Sequence, residues 1–376
     1  MTDGLRKTPL NDAHRRLKAT LVDFGGWGMP MQYGNIVDEH RAVRTGAGIF
    51  DVSHMGRLAI EGADRLGFLS RLVPTNLEKA EPGDVVYSMF TTEGGGVVDD
   101  ITILVRADDI RLVVNASNAA AVKDWLAEHR DGMDVAVRDE TEAKGMIALQ
   151  GPLAAAILLR HTAAAAGRMF FFQFIEGTFD GRPVLISRTG YTGEDGFEII
   201  MSAADAPAVW DALLADGAAP IGLGARDTLR MEACLPLYGH ELGRDINPIE
   251  AGLGWAVTSK ADYLGRAQIE KVRRDGVARK LVAFRLEGRV LARKDAEFVK
   301  DGRKVGVVTS GTFAPSLGCG AGMGFVEAAL AAPGATLDVV VRERPCRAVL
   351  VKPPLVTKHT VARKPKPAAS VGGGRG

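Results

Sequence analysis

The apolar positions of the chain switch repeatedly between helical and extended spacing. From Ile36 to Thr45 they follow a helical period, with Ile36, Val37, His40 and Val43 on one side and Glu39, Arg41 and Arg44 outside. Gly46 and Gly48 end this helix, and Ile49-Phe50-Asp51-Val52-Ser53-His54-Met55-Gly56 reads as a strand that turns polar at its end. Upstream, Val22 to Tyr33 concentrates aromatics, glycines and a proline, which predicts a loop held by its own side chains rather than by a ladder. Residues 57–140 alternate between strands and amphipathic helices. Helices are expected over Gly62–Leu72 and Ala119–Arg130, and strands over Val85–Phe90, Ile101–Val105 and Ile110–Asn115.

Further along, Leu149-Gln150-Gly151-Pro152 marks a strand end followed by a helix with an early proline. Phe170-Phe171-Phe172 is a core cluster or the floor of a ring-binding pocket. Helices are predicted over Ser202–Asp216, capped by the Ser202/Asp205 spacing, over Arg226–Cys234 and over Leu264–Arg274. The stretch Ile221-Gly222-Leu223-Gly224-Ala225-Arg226-Asp227 resembles a nucleotide loop only superficially, because no third glycine falls in register. From about residue 280 short extended runs alternate with turns, at 281–286, 296–300, 304–310, 335–341 and 348–351. Asp301-Gly302 is a hairpin turn between two of them, so this segment is a small all-β domain beginning near 272–280.

Three places concentrate chemistry. Ser187 to Glu198 sets Gly190, Gly193 and Gly196 among Tyr191, Glu194, Asp195 and Glu198 between two extended runs. It is either a decorated hairpin or a loop against which a ligand lies. In Gly94-Gly95-Gly96-Val97-Val98-Asp99-Asp100-Ile101, strand alternation sends the two aspartates to opposite faces. One should face solvent or cap the turn. The other starts a strand among apolar neighbours, where an aspartate is disfavoured unless it has a task. His54 is either a general base or a satisfied structural group.

Composition narrows the class. With 376 residues, 46% hydrophobic and 25% charged, the chain is an ordinary globular protein of two or three domains. Net charge is +1, but the last twenty residues hold five Lys or Arg and no acid, so the body is faintly acidic and offers no nucleic-acid footprint. Residues 357–376 read as a disordered basic tail. No run is long and apolar enough to span a membrane, no signal peptide is visible, and Cys234, Cys319 and Cys346 give neither metal spacing nor a disulfide framework. Cytoplasmic location is the expectation.

Taken together these stretches resemble the T-protein (aminomethyltransferase) family of the glycine cleavage system. The resemblance is carried by Thr8-Pro9-Leu10, Val22 to Trp27, Phe50 to Gly56, Gly95 to Asp100, Gln150-Gly151-Pro152, Ser187 to Glu198, Gly222 to Asp227 and Thr309-Ser310-Gly311, in order along nearly the whole chain. It implies an α+β fold of three domains in a cloverleaf around a central cavity, with mixed or antiparallel sheets and a C-terminal barrel-like β domain. The domains would be 1–55 with 140–272, an insertion at 56–139, and 273–356.

The resemblance also implies the chemistry. The aminomethyl carbon would pass from the lipoyl arm of H-protein to tetrahydrofolate, giving 5,10-methylenetetrahydrofolate and ammonia, with no metal. Asp100 would be the catalytic carboxylate near the reacting nitrogens. Glu198 would bind the pterin edge, Arg226 would line the cavity, and Tyr87, Met55, Asn115 and Tyr191 would complete the pocket. A folate-dependent demethylase acting on a methylamine or sulfonium donor is the alternative. A non-catalytic folate protein of the iron–sulfur assembly branch would carry Lys-Gly-Cys, which this chain lacks. After Lys352-Pro353 the chain departs from the family's aromatic and basic ending.

Overall fold

A computed structural model describes residues 4–363. Its strands gather into three main sheets. The first has six strands in the order Phe174–Phe179, Arg182–Ser187, Gly196–Ser202, Lys144–Gln150, Gly48–Asp51 and Ala219–Pro220. All its neighbours are antiparallel except the last pair. The second has five antiparallel strands in the order Val85–Thr91, Val97–Val105, Ile110–Val114, Gly56–Glu61 and Ala136–Asp139. The third is a closed barrel of six strands between Arg279 and Val351. The fold is thus α+β, with antiparallel and mixed sheets and a C-terminal barrel.

Strand alternation fills three separate cores. Phe197, Ile199 and Met201 of the central strand point into one cluster, where Trp210, Val209 and Leu213 of helix Ala206–Ala215 cover the first sheet. Ile101 and Ile103 point into a second, under Phe68, Leu69 and Leu72 of helix Arg65–Leu72 and Val122 and Leu126 of helix Ala119–Glu128. The opposite faces of the two sheets meet each other. Val85, Leu104 and Val113 of the five-stranded sheet pack with Phe50, Met146 and Ala148 of the six-stranded one, and Ala225 and Leu229 of helix Leu223–Glu232 join them. Non-directional burial welds the sheets along this face, and any polar side chain on it looks into the space between them.

Residues 242–256 pack with Met89, Val97 and Phe325, against the five-stranded sheet and the barrel. Thr258 and Ser259 donate to Pro74 O at 2.9 Å, and Leu264 N donates to Arg71 O at 2.9 Å. The stretch 242–264 therefore leans on the five-stranded sheet and its helix Arg65–Leu72.

Four expectations need correction. Val22–Tyr33 is a ladder: Thr20–Phe24 pairs with Trp27–Gln32, and Gly25 (φ 61°) with Gly26 (φ 83°) makes the two-residue turn whose twist suits a hairpin. A barrel strand at Cys319–Glu327 is invisible to the apolar pattern because Gly320, Gly322 and Gly324 alternate along it; the Phe284 and Phe298 rings occupy space that side chains at Gly322 and Gly324 would need. The tail is placed against the body as far as Arg363: His359 N donates to Gly193 O at 2.8 Å and Phe171 N donates to Ala362 O at 3.0 Å. Residues 364–376 of the expected disordered tail lie outside the described residues.

The fourth concerns helix Ile36–Thr45, whose Glu39 and Arg44 are not in solvent. Arg44 donates to Glu194 Oε1 at 2.9 Å and Glu232 Oε2 at 3.1 Å, tying this helix to the central loop and to helix Leu223–Glu232. Glu39 is buried and accepts from the backbone N–H of Tyr33 (2.7 Å), Gly34 (3.0 Å) and Gly222 (2.8 Å). Gly222 is the N-cap of helix Leu223–Glu232, so Glu39 fixes where Arg226 stands. Replacing Glu39 by Ala strands three backbone donors. The expected cost is about 2–5 kcal/mol, read from the urea midpoint; an unchanged midpoint contradicts this role.

Candidate functional site

In strand Val97–Val105 the side chains of Asp99, Ile101 and Ile103 share one face, and those of Asp100, Thr102 and Leu104 the other. Because Ile101 and Ile103 belong to the core of the five-stranded unit, Asp99 is driven into that core and is wholly buried. Asp100 goes instead to the face on which Leu104 meets the six-stranded sheet. The same logic applies across the gap. Phe197 and Ile199 point into the core of the first sheet, so Glu198, with Ile200, faces the inter-sheet side. Two carboxylates distant in sequence therefore project onto one shared face.

Asp100 is held at both oxygens. Tyr87 Oη donates to Oδ2 at 3.0 Å and Asn115 Nδ2 donates to Oδ1 at 2.8 Å. Burial raises its carboxyl above the ordinary range, while the Asn115 and Tyr87 hydrogen bonds pull it back. Asp99 neither faces solvent nor caps the turn, as one of the two aspartates was expected to do. It accepts from Asn115 N (3.0 Å), Asn115 Nδ2 (2.8 Å) and Asn118 Nδ2 (2.9 Å). Burial, then the Asp100 charge, pushes it up to about 7 against these hydrogen bonds.

Glu198 Oε2 accepts from Thr189 Oγ1, and no donor meets its Oε1 among the described residues. Burial raises its carboxyl; Thr189 and the Arg226 charge oppose the rise. Arg226 makes no side-chain hydrogen bond or ion pair among the described residues, and its guanidinium lies 4.8 Å over the Tyr191 ring. Burial lowers its pKa. Tyr191 Oη donates to Pro236 O, leaving its ring as a wall. The loop that carries Tyr191 rests on Gln150, whose Nε2 donates to Thr189 O at 3.0 Å and whose Oε1 accepts from Thr192 Oγ1 at 2.9 Å. A Cβ at Gly190 would sit 1.9 Å from Gln150 Oε1, so a side chain here would push the Gln150 amide off the bonds that brace the loop. The stretch is thus a loop braced from beneath by Gln150 rather than a bare hairpin.

Met55 is half-buried beside the inter-sheet cluster, and Arg57 pins its carbonyl at 2.6 Å. His54 is buried, edge-on to Phe24 at 5.5 Å between ring centroids. Burial, with Arg226 and Arg57 adding to it and Asp51 opposing, pushes its imidazole down to about 4. It is neutral near pH 7 and unsuited to act as a general base there. Gly222 and Gly224 serve packing against Met31 and Ile36, not phosphate binding.

Trp255 escaped the sequence reading. It stands 51% exposed, stacks on Tyr87 at 5.5 Å, and carries the Arg363 guanidinium at 5.3 Å. The same guanidinium lies 4.6 Å from the Phe172 ring, so the aromatic triplet lies at the edge of the site rather than wholly in a core. The trace in sequence was a lone tryptophan in the glycine-broken stretch Gly252-Leu253-Gly254-Trp255. Among the described residues no cluster of His, Cys, Asp or Glu could hold a metal ion.

Comparison with known proteins agrees with this architecture. Residues 10–261 match the family described as the GCVT N-terminal domain, and residues 279–357 match the glycine cleavage T-protein C-terminal barrel domain. The chain is 42% identical over 365 residues to an aminomethyltransferase of Alkaliphilus metalliredigens, covering 95% of this chain and 99% of that one. It is 44% identical over 353 residues to an aminomethyltransferase of Herpetosiphon aurantiacus, covering 93% and 98%. A crystal structure of the glycine cleavage system aminomethyltransferase T from Bartonella henselae superposes with a TM-score of 0.88 at 34% identity, covering 95% of this chain and 99% of that one. The chain belongs to the glycine cleavage T-protein family of aminomethyltransferases.

Proposed function

We propose that this aminomethyltransferase takes the aminomethyl group from the lipoyl arm of H-protein and passes its carbon to tetrahydrofolate, yielding 5,10-methylenetetrahydrofolate and ammonia. The observation that carries this reading is the pair of carboxylates, Asp100 and Glu198, brought from two sheets onto one inter-sheet face beside unspent polar groups. Tetrahydrofolate supplies a nucleophilic ring nitrogen, a flat pterin and an acidic tail. The residues fit it. Glu198 Oε1 and the Arg226 guanidinium, on half-buried side chains, have hydrogen-bonding capacity that no described residue uses and that a ligand can take up.

Each role follows from local chemistry. Asp100, its carboxyl raised by burial, accepts a proton near neutral pH more readily than an ordinary aspartate. Tyr87 and Asn115 hold both its oxygens, so the carboxylate does not need to reorient when the proton arrives. Glu198 offers an acceptor to the adjacent donors of a pterin edge. Arg226, planar and backed by Tyr191, suits a carboxylate or a carbonyl. Met55 and Tyr191 bound the ring laterally, and Trp255 adds an aromatic face beside Tyr87. The three described cysteines are all free, which supports work in a reducing cytoplasm.

Three outcomes are expected. Asp100→Asn should lower turnover by roughly 10²–10⁴ while tetrahydrofolate still protects the protein against thermal unfolding; undiminished turnover refutes the assignment. Since a raised carboxyl pKa keeps Asp100 protonated to higher pH, kcat/KM should climb with pH along an acid limb above the ordinary carboxylate range. A limb at the ordinary range contradicts this. Glu198→Ala should raise by about 10–100-fold the tetrahydrofolate concentration needed for the same thermal protection; an unaltered titration removes Glu198 from the site. Dimethylated amine donors, offered in place of aminomethylated H-protein, separate this reaction from demethylation.

A further inference from the structure

We propose that Asp99 is a positioning residue for the reaction: by fixing which way the Asn115 side-chain amide points, it keeps a hydrogen-bond donor on Asp100. The proposal rests on the reading of Asp100 as the proton-handling carboxylate.

Asp99 is wholly buried, adjacent in sequence to another acid, at a strand position where an apolar residue would complete the Ile101–Ile103 stripe. Such a group is retained at a cost in stability unless something depends on it. Three donors reach it. Asn115 N faces Oδ2 at 3.0 Å, while Asn115 Nδ2 (2.8 Å) and Asn118 Nδ2 (2.9 Å) face Oδ1. Asn118 is tied down in turn by donating to Val98 O at 3.0 Å.

Asn115 is the shared element. Its amide nitrogen has two hydrogens and two carboxylate targets, Asp99 Oδ1 at 2.8 Å and Asp100 Oδ1 at 2.8 Å, with Asp100 O at 3.2 Å beside them. An amide can rotate by half a turn and exchange its NH₂ for its carbonyl oxygen at nearly unchanged shape. Once ionised, which its carboxyl held up to about 7 allows fully only above neutral pH, Asp99 opposes that rotation, because it would set an oxygen against an acceptor-only group. Asp99 thereby selects the rotamer in which Asp100 also receives a hydrogen. Asn115 then reports the state of one carboxylate to the other, and Asp100 stays a pre-aligned base although it is buried.

Substituting Asp99 by asparagine tests this directly. The new side-chain amide carries a donor of its own, so it either opposes Asn115 N or accepts the flipped Asn115, whose oxygen then faces Asp100. Loss of a donor holds the Asp100 carboxyl protonated to higher pH. The acid limb of kcat/KM should therefore move up by about one pH unit in D99N. It should move likewise in N115A, and no further in the double variant, because both lesions remove one and the same hydrogen bond. D99E, which restores an acceptor-only group, should keep the limb where the wild type has it, whatever its turnover. Simple removal of a neighbouring negative charge would move the limb down. A downward or absent shift in D99N, or additive effects in the double variant, overturns the proposal.

A second measurement needs no variant. In the wild-type protein labelled with ¹⁵N, both side-chain amide hydrogens of Asn115 should exchange slowly with water, and both should shift as the aspartate pair titrates. One freely exchanging hydrogen refutes the shared clamp. This readout does not involve turnover, so it stands or falls apart from D100N, whose full activity would instead refute the role of Asp100.

Discussion

The structure depends on the alternation of one strand. In Val97–Val105 consecutive side chains must point to opposite faces, and two consecutive residues are aspartates. One is forced into a core and the other onto the seam between two sheets. Neither position tolerates an unpaired carboxylate. The fold answers with Asn115 and Asn118, which open the turn into helix Ala119–Glu128, and with Tyr87 on the neighbouring strand. Tyr87, Asn115 and Asn118 are held in place by satisfying those two acids.

The loop and helix on the side of Glu198 are held by charges that a surface pattern assigns to solvent. Arg44 reaches Thr192 O, Glu194 and Glu232 from the outer side of its helix, and His359 of the tail adds a contact to Glu194 at 3.1 Å. Glu39 braces the hairpin and the cap of the helix that bears Arg226. The buried Arg44 ion pairs need not add net stability. Each is directional, however, and they join the central loop, two helices and the tail at fixed angles. The loop carrying Tyr191 and the strand carrying Glu198 are positioned through them.

The legible and illegible parts of the sequence divide along the same line. Helix Ile36–Thr45, the strand–helix alternation of residues 57–140 and the turn at Asp301-Gly302 were readable because burial periodicity and turn chemistry are local. Strand Cys319–Glu327 was not, because its glycines carry no apolar stripe; its evidence lies in the rings of other strands. Hairpin Thr20–Gln32 hid behind aromatics that obscure its Gly25-Gly26 turn. For the site, the type of residue was legible and its task was not. The split between Asp99 and Asp100 follows from alternation, but which face is core depends on helices elsewhere in the chain. Trp255 stacks on Tyr87 from a distant part of the sequence, a contact that no local pattern encodes.

The proposed reaction requires Asp100 and Glu198 to address one ligand from opposite sheets. A crystal soaked with tetrahydrofolate tests that most directly. The account predicts the pterin between the two sheets, with one Glu198 oxygen on its donor edge and the Asp100 carboxylate against its reacting nitrogens. A ring bound elsewhere, or either carboxylate turned away from it, would contradict the account.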